Sequence, residues 1–410
     1  MRTAKRIIKW AIWTVITAYV AAVAIVHLPA VQEWIGSRVA KAVMQKLDTK
    51  VQIGRIYLGL PNRIVIDDLR LYDKQGRLMI RAGRAAAKVD YGEMVRNGRI
   101  CVSSAQLFSM KAVFYKERGK TEPNFKFVLD SLASKDKTKK SDLQLSVNSL
   151  IIRHGAVSYD DYGRKAAGTG TFDPAHLGIE DISAHVVLPY YTPDSLSVAV
   201  KKLSLREKSG LDLRRLAFNL KIVKNGRQAQ CLLTNLNAEL PASDMEIEDL
   251  HAECDVTDGK ADLNTLRYGG RLKCVKLSPR DLSWAIPQLK NVTTGMSISS
   301  SFNGTGRSVN VSVLNISAYD GGIALSADGN ATWEAPDLRW RTNIRSLRCS
   351  EEGIKTVAYE LGAKGAMPET LKRLGDIRFS GYVAGRGNSL ETDGELASGI
   401  GNADIRLNMT

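Results

Sequence analysis

The stretch Ile64-Val65-Ile66-Asp67-Asp68-Leu69-Arg70-Leu71-Tyr72 sets the reading of the chain. Its apolar residues recur at period two and its residue types favour extended backbone, so it reads as a strand. Upstream, Val51-Gln52-Ile53-Gly54-Arg55-Ile56-Tyr57 reads as its partner across a turn at Leu60-Pro61-Asn62. Downstream, Asp73-Lys74-Gln75-Gly76 turns the chain into a strand from Leu78 to Tyr91. Ile100 to Tyr115 is longer, with Val102, Phe108, Met110 and Phe114 in step. Residues 51–115 are therefore expected to form a first antiparallel meander.

Residues 116–142 interrupt it. Asn124 to Ala133 carries Phe125, Val128, Leu129 and Leu132 at helical spacing, and Ser134 to Asp142 is a charged, flexible loop. From 143 to 410 the meander resumes. Strands are expected near 143–159, 176–188, 196–207, 213–223, 228–240, 244–256, 260–277, 295–303, 308–319, 322–333, 337–348, 354–363, 376–385, 389–397 and 402–409. Ser278 to Ile286 and Pro368 to Leu374 read as short helices opening on proline. Thr410 follows an alternating strand with no turn behind it, which reads as truncation at the C-terminus.

Many of these strands have one apolar and one polar side. Leu216, Phe218, Leu220 and Ile222 share one face; Leu338, Trp340 and Ile344 oppose a row of arginines. Ile377 and Phe379 alternate with polar residues, as do Ile405 and Leu407. These eleven residues are the candidate lining of an apolar groove. A curved antiparallel sheet with one greasy side makes such a groove, and ordinary packing against another layer makes the same pattern.

At the other end, Trp10 to Leu28 is an uncharged apolar run. It includes Trp10, Trp13, Val15, Ile16, Tyr19, Val20, Val23, Ile25 and Leu28, and follows the basic residues Arg2, Lys5, Arg6 and Lys9. At 1.5 Å per residue it spans roughly 28 Å, close to a hydrocarbon core, and reads as a transmembrane anchor. The basic flank, residues 1–9, keeps to the cytoplasm and sends the body across. A cleaved signal peptide ending at Ala22-Val23-Ala24 is the rival reading. Residues 29–50 hold an amphipathic helix, opened by Pro29, with Val31, Ile35, Val39, Val43 and Leu47 on one side.

The net charge of +15 admits anionic partners. Lys and Arg mostly alternate along strands as a solvated face, and a membrane-anchored body argues against nucleic acid. Five cysteines at wide spacing signal no zinc or redox motif. Asp67-Asp68 and Asp160-Asp161 are adjacent on strands, so their side chains are expected on opposite faces and not as acid/base dyads. Gly168-Thr169-Gly170, Gly304-Thr305-Gly306 and Gly385-Arg386-Gly387 read as turns. No catalytic, metal or cofactor signature is present, and the protein is expected not to be an enzyme.

The order of elements resembles the N-terminal portion of the TamB/AsmA-like family of bridge-like lipid-transfer, translocation and assembly proteins. The resemblance is carried by Leu28-Pro29-Ala30-Val31-Gln32, by Val51 to Ile56, and by Ile64 to Leu78 with its Leu-x-Leu-x-Asp-x-x-Gly ending. Leu203 to Leu211, Leu240 to Leu250, Leu277 to Leu282 and Leu374 to Gly381 also fit. It implies a mostly-β, taco-like periplasmic groove behind a single-pass inner-membrane anchor. The groove would carry phospholipid toward the outer membrane or assist assembly of outer-membrane proteins, with an outer-membrane barrel as partner. An anchored structural or interaction protein, adhesin-like or chaperone-like, is the alternative.

Overall fold

The computed structural model describes residues 10, 13–14, 17, 24, 28–59, 62–90, 96, 100–133, 143–168, 170–192, 194–257, 260–334, 337–360, 374–387 and 389–409. The chain divides into two compact units. One comprises residues 1–166 with 173–185, the other residues 167–172 with 186–410.

The first unit holds helix α1 (Pro29–Leu47) and strands β1 (Val51–Gln52), β2 (Ile56–Gly59), β3 (Arg63–Tyr72), β4 (Leu78–Val89) and β5 (Ile100–Lys116). Helix α2 (Lys126–Ala133), β6 (Leu143–Asp161) and the start of β7 (His176–Thr192) follow. Pro29 suits the first turn of α1 because its missing N–H needs no partner there. Asp48 ends the helix in the left-handed conformation, and Lys74 donates to its carbonyl and, at 2.7 Å, to its carboxylate. The last turns of α1 bring Val43, Met44 and Leu47 onto Val51, Leu71 and Met79, with Phe114, Phe125, Phe127 and Val128 closing the cluster. Met79 retains 1% of its exposure, so this is a filled core.

The sheet in this unit is mixed. β1 and β2 pair antiparallel with β3, β3 with β4 and β4 with β5, but β5 and β6 run parallel. The expected all-antiparallel sheet is thereby corrected. The segment carrying α2 returns the chain to the start of β5, as a parallel pair requires of its connection.

The second unit holds the end of β7 and strands β8 (Ser195–Glu207), β9 (Asp212–Asn225), β10 (Gln228–Glu239), β11 (Asp244–Thr257) and β12 (Lys260–Leu277). Then come β13 (Met296–Thr305), β14 (Ser308–Ala318), β15 (Ile323–Glu334), β16 (Asp337–Cys349), β17 (Ile377–Arg386), β18 (Ser389–Ser398) and β19 (Gly401–Met409). From β8 onward each strand pairs antiparallel with the next. Between β12 and β13 the expected helix is two 3-10 turns, Pro279–Leu282 and Pro287–Asn291. The strand expected at 354–363 is instead helix α3, Glu351–Glu360. Its start explains the difference: Ser350 Oγ accepts the Gly353 N–H at 3.0 Å, Glu351 and Glu352 sit in the first turn, and Lys355 reaches Glu351. Of the helix expected at 368–374, residues 368–373 lie outside the described residues.

The membrane anchor is also corrected. Among the described residues no helix is long and apolar enough to cross a membrane. The longest, α1, carries Glu33, Arg38, Lys41 and Lys46, and its last turns are committed to the protein core. Val15, Ile16, Tyr19, Val20, Val23 and Ile25, with Arg2, Lys5, Arg6 and Lys9, lie outside the described residues. Trp10 and Trp13 are helical and exposed, and Leu28 is a bend before α1. The fold is mostly β with a mixed sheet, and among the described residues the single-pass inner-membrane location has no spanning helix to rest on.

Candidate binding face

The second unit's strands are strongly two-sided. Cross-strand register links Ile222, Cys231, Ala252, Tyr268, Gly304, Val309, Ala331, Trp340, Gly385, Leu390 and Met409 into one row running across β9 to β19. A second row runs from Leu220 through Leu233, Leu250, Gly270, Phe302, Val311, Gly329, Thr342, Val383 and Thr392 to Leu407. A third joins Met245, Cys274, Ile298, Ile316, Leu325, Leu347, Phe379 and Leu396. Ten steps of ~4.8 Å give the longer rows a length of about 48 Å.

The register sets all eleven sequence-picked residues on this side. Leu216, Phe218, Leu220 and Ile222 are half-buried, as are Trp340, Ile344, Ile377, Phe379 and Ile405. Leu338 and Leu407 are exposed. No Leu, Ile, Met or aromatic side chain of the three rows is fully buried. In a filled sandwich such residues lose nearly all their accessible surface. Val200 in β8 and Ala327 in β15 are buried within strands, and a further group of buried apolar side chains lies at one end of the strands. There Leu240, Leu277, Val292 and Ala318 meet the 3-10 turns, and Phe172 packs edge-on against Trp284 at 5.2 Å.

Glycines shape the face. A Cβ on Gly385 would fall 2.5 Å from the Trp340 indole, one on Gly304 2.7 Å from the Tyr268 ring, and one on Gly394 2.8 Å from Phe379. Each ring therefore lies across a neighbouring glycine and fills the gap that the missing side chain leaves. Cys231, Cys254, Cys274 and Cys349 all point to this side, and all are free thiols. Burial pushes the thiols of Cys231, Cys274 and Cys349 upward, which keeps them protonated and makes them small apolar residues. The sequence signal for these features was glycine and cysteine at apolar-phase positions within strands.

The opposite face is held by ions. Arg271 pairs with Asp249 and Arg345 with Asp328, both at 2.8 Å, and Arg406 with Asp393 at 2.9 Å. Each pair bridges adjacent strands and adds a cross-strand contact on the wet face.

The acidic pairs are structural. Asp68 has φ of 54°, a break in the regular extended backbone between Asp67 and Leu69. Arg84 holds Asp67 at 2.7 Å, and Arg70 and Arg81 hold Asp68 at 2.6 and 3.1 Å. These hydrogen bonds lower both carboxyl pKa values, which disfavours either as a proton donor. Asp161 is bound by Lys116 at 2.6 Å, which lowers its pKa, whereas Asp160 faces His176 Nδ1 at 3.1 Å. Among the described residues no group of three or more His, Cys, Asp and Glu is placed to hold a metal.

The role of an inner-membrane-anchored carrier toward the outer membrane, and its anchored adhesin-like alternative, both require a spanning helix. The described structure contains none, and neither role is retained. No protein-family model, no curated protein and no solved structure matches the chain.

Proposed function

We propose that the second unit is a non-covalent binding module whose apolar sheet face shelters the hydrocarbon part of an amphiphile of the phospholipid class. One observation carries this: the apolar rows cross β9 to β19, yet none of their Leu, Ile, Met or aromatic side chains is fully buried. An exposed apolar surface larger than a few hundred Å² marks a place where something apolar binds. Each methylene of a lipid tail moved out of water is worth about 0.8 kcal/mol, so a chain of sixteen carbons brings roughly 12 kcal/mol to such a face.

The choice of amphiphile over a folded partner rests on the face's relief. Protein interfaces anchor on protruding aromatic side chains and the pockets that receive them. Here Tyr268, Trp340 and Phe379 lie across glycines, which flattens the face around these three rings. A flexible hydrocarbon chain suits a smooth lane; a set of side-chain knobs does not.

Trp340 supplies the test. In a variant keeping Trp340 and replacing the other five tryptophans by phenylalanine, a lysophospholipid brominated on its acyl chain is added below its micelle concentration. Quenching of Trp340 emission, reversed by the unbrominated lipid, is the expected outcome; emission unaffected by the brominated lipid overturns the proposal. Phe218→Glu, which puts a charge among the half-buried residues of the face, is expected to weaken the quenching at least tenfold while leaving the melting transition in place.

A further inference from the structure

The first unit has a different opening, independent of the apolar face. β1 and β2 bond to β3 on one side; among the described residues no strand pairs with their other side. Every residue from Val51 to Tyr57 lines a cleft of about 820 Å³, whose opposite wall is α1 through Pro29, Gln32, Ser37 and Ala40. Its volume lies within the range of built ligand sites, roughly 300–1,000 Å³. The Lys50 carbonyl accepts from Tyr72 N–H, and Gly54 N–H donates to Asp67. From Lys50 to Gly54 the even-numbered residues thus face β3, and the alternation of an antiparallel ladder aims the N–H and C=O groups of Val51 and Ile53 away from it; the phase changes at Arg55, whose carbonyl accepts from Asp67 N–H.

We propose that this edge takes an extended acidic peptide segment as an added strand, held between β1–β2 and α1. A free strand edge offers a repeating series of backbone donors and acceptors, and another extended backbone matches that series along its length. The helix beside it forms a wall for the side chains on one side of the guest. Charge sets the chemistry: Arg55 and Arg70 line the cleft against a single carboxylate, Asp68, which Arg70 and Arg81 already hold. Gly54 makes the edge approachable, since a Cβ there would fall 2.7 Å from the Asp67 carbonyl, and the strand stays flush with β3 only as glycine.

The probe is a synthetic, end-capped heptapeptide alternating glutamate and valine, titrated onto the full chain and followed by fluorescence anisotropy. Three further peptides accompany it. Two are methylated on alternate backbone nitrogens, in the two possible phases, and one has lysine in place of glutamate. Binding is expected for the parent, with amide exchange at Val51 and Ile53 slowed. At least tenfold weaker binding is expected for one methylated phase and for the lysine peptide. Ala40→Trp, which fills the cleft from the helix side, is expected to abolish binding. Equal binding of both methylated peptides and the parent overturns strand addition, as does parent binding that leaves Val51 and Ile53 exchange unchanged, or no binding at all. Because the methylated peptides leave the protein unaltered, the test stands even where Ala40→Trp fails to fold.

Discussion

The two units use the same alternation to opposite ends. In the first, the apolar side of the strands is closed by α1 and α2, and Leu47, Val51, Leu71 and Met79 disappear from solvent. In the second, strands with the same spacing form rows whose large residues remain partly exposed. Period-two spacing specifies which side of a strand is apolar, and a separate element decides whether that side becomes a core. In the first unit that element is a helix with Val43, Met44 and Leu47 on one side. Where the described residues provide no such helix, the large side chains of the apolar side keep part of their exposure.

The contrast is broken most directly by truncating one large side chain in each unit. Met79→Ala empties a fully packed site and is expected to cost about 2–5 kcal/mol, measured by urea denaturation. Leu233→Ala, in the second row of the open face, is expected to cost less than half as much, because its side chain is only half-buried and water can enter the space. Equal costs would mean that the open face is packed as a core. Lipid binding should move in the other sense: Leu233→Ala weakens it and Met79→Ala leaves it alone in protein that remains folded.

A smaller effect tests the polar rim of the filled core. Asp73 retains 2% exposure and accepts the Tyr115 hydroxyl at 2.6 Å, together with the backbone N–H groups of Gln75 and Arg77. Burial, with Asp73 adding to it, pushes the Tyr115 phenol up to about 12. Tyr115→Phe removes one donor from a buried carboxylate and is expected to cost about 1–3 kcal/mol. The pH sign follows from the raised value. Between about pH 10, the ordinary phenol value, and about pH 12, the unfolded chain has lost the proton that the folded one keeps. Stability is complete below that window and falls as pH rises through it. Tyr115→Phe should lose this part of the alkaline slope, measured by denaturation at stepped pH.

Strand positions from β3 to β19 were legible because a sheet with one wet face writes its burial directly into alternate residues. The direction of β6 was not, since Leu143 to Asp161 alternates identically whether it lies parallel or antiparallel to β5. α3 was misread because Ile354, Val357 and Ala358 suit either element, and the decisive Ser350-Glu351-Glu352 cap precedes them. The face itself was visible in Leu220, Trp340 and Ile405, whereas its smoothness was not. That depends on Trp340 lying opposite Gly385 across a strand pair, a register that no single strand contains.

The smallest expected effect separates the core from the loop that flanks it. His176 Nδ1 meets Asp160 at 3.1 Å and Nε2 meets the Arg164 carbonyl at 3.1 Å, so both ring nitrogens face acceptors. Only the imidazolium donates from both, and the Asp160 hydrogen bond accordingly raises the His176 pKa above its ordinary 6.5. This contribution is fully present below 6.5, the unfolded value, and is lost as pH rises through the higher folded value. Above that window the clasp on Arg164 should loosen, with faster amide exchange at Gly163 and Arg164 and no change in the strands around Met79. His176→Gln keeps one donor without a titrating charge and should leave that exchange flat with pH, once corrected for its intrinsic rate. A loop that responds to pH beside a core that does not is the behaviour expected where Met79 is held by apolar packing alone and Arg164 by a protonated ring.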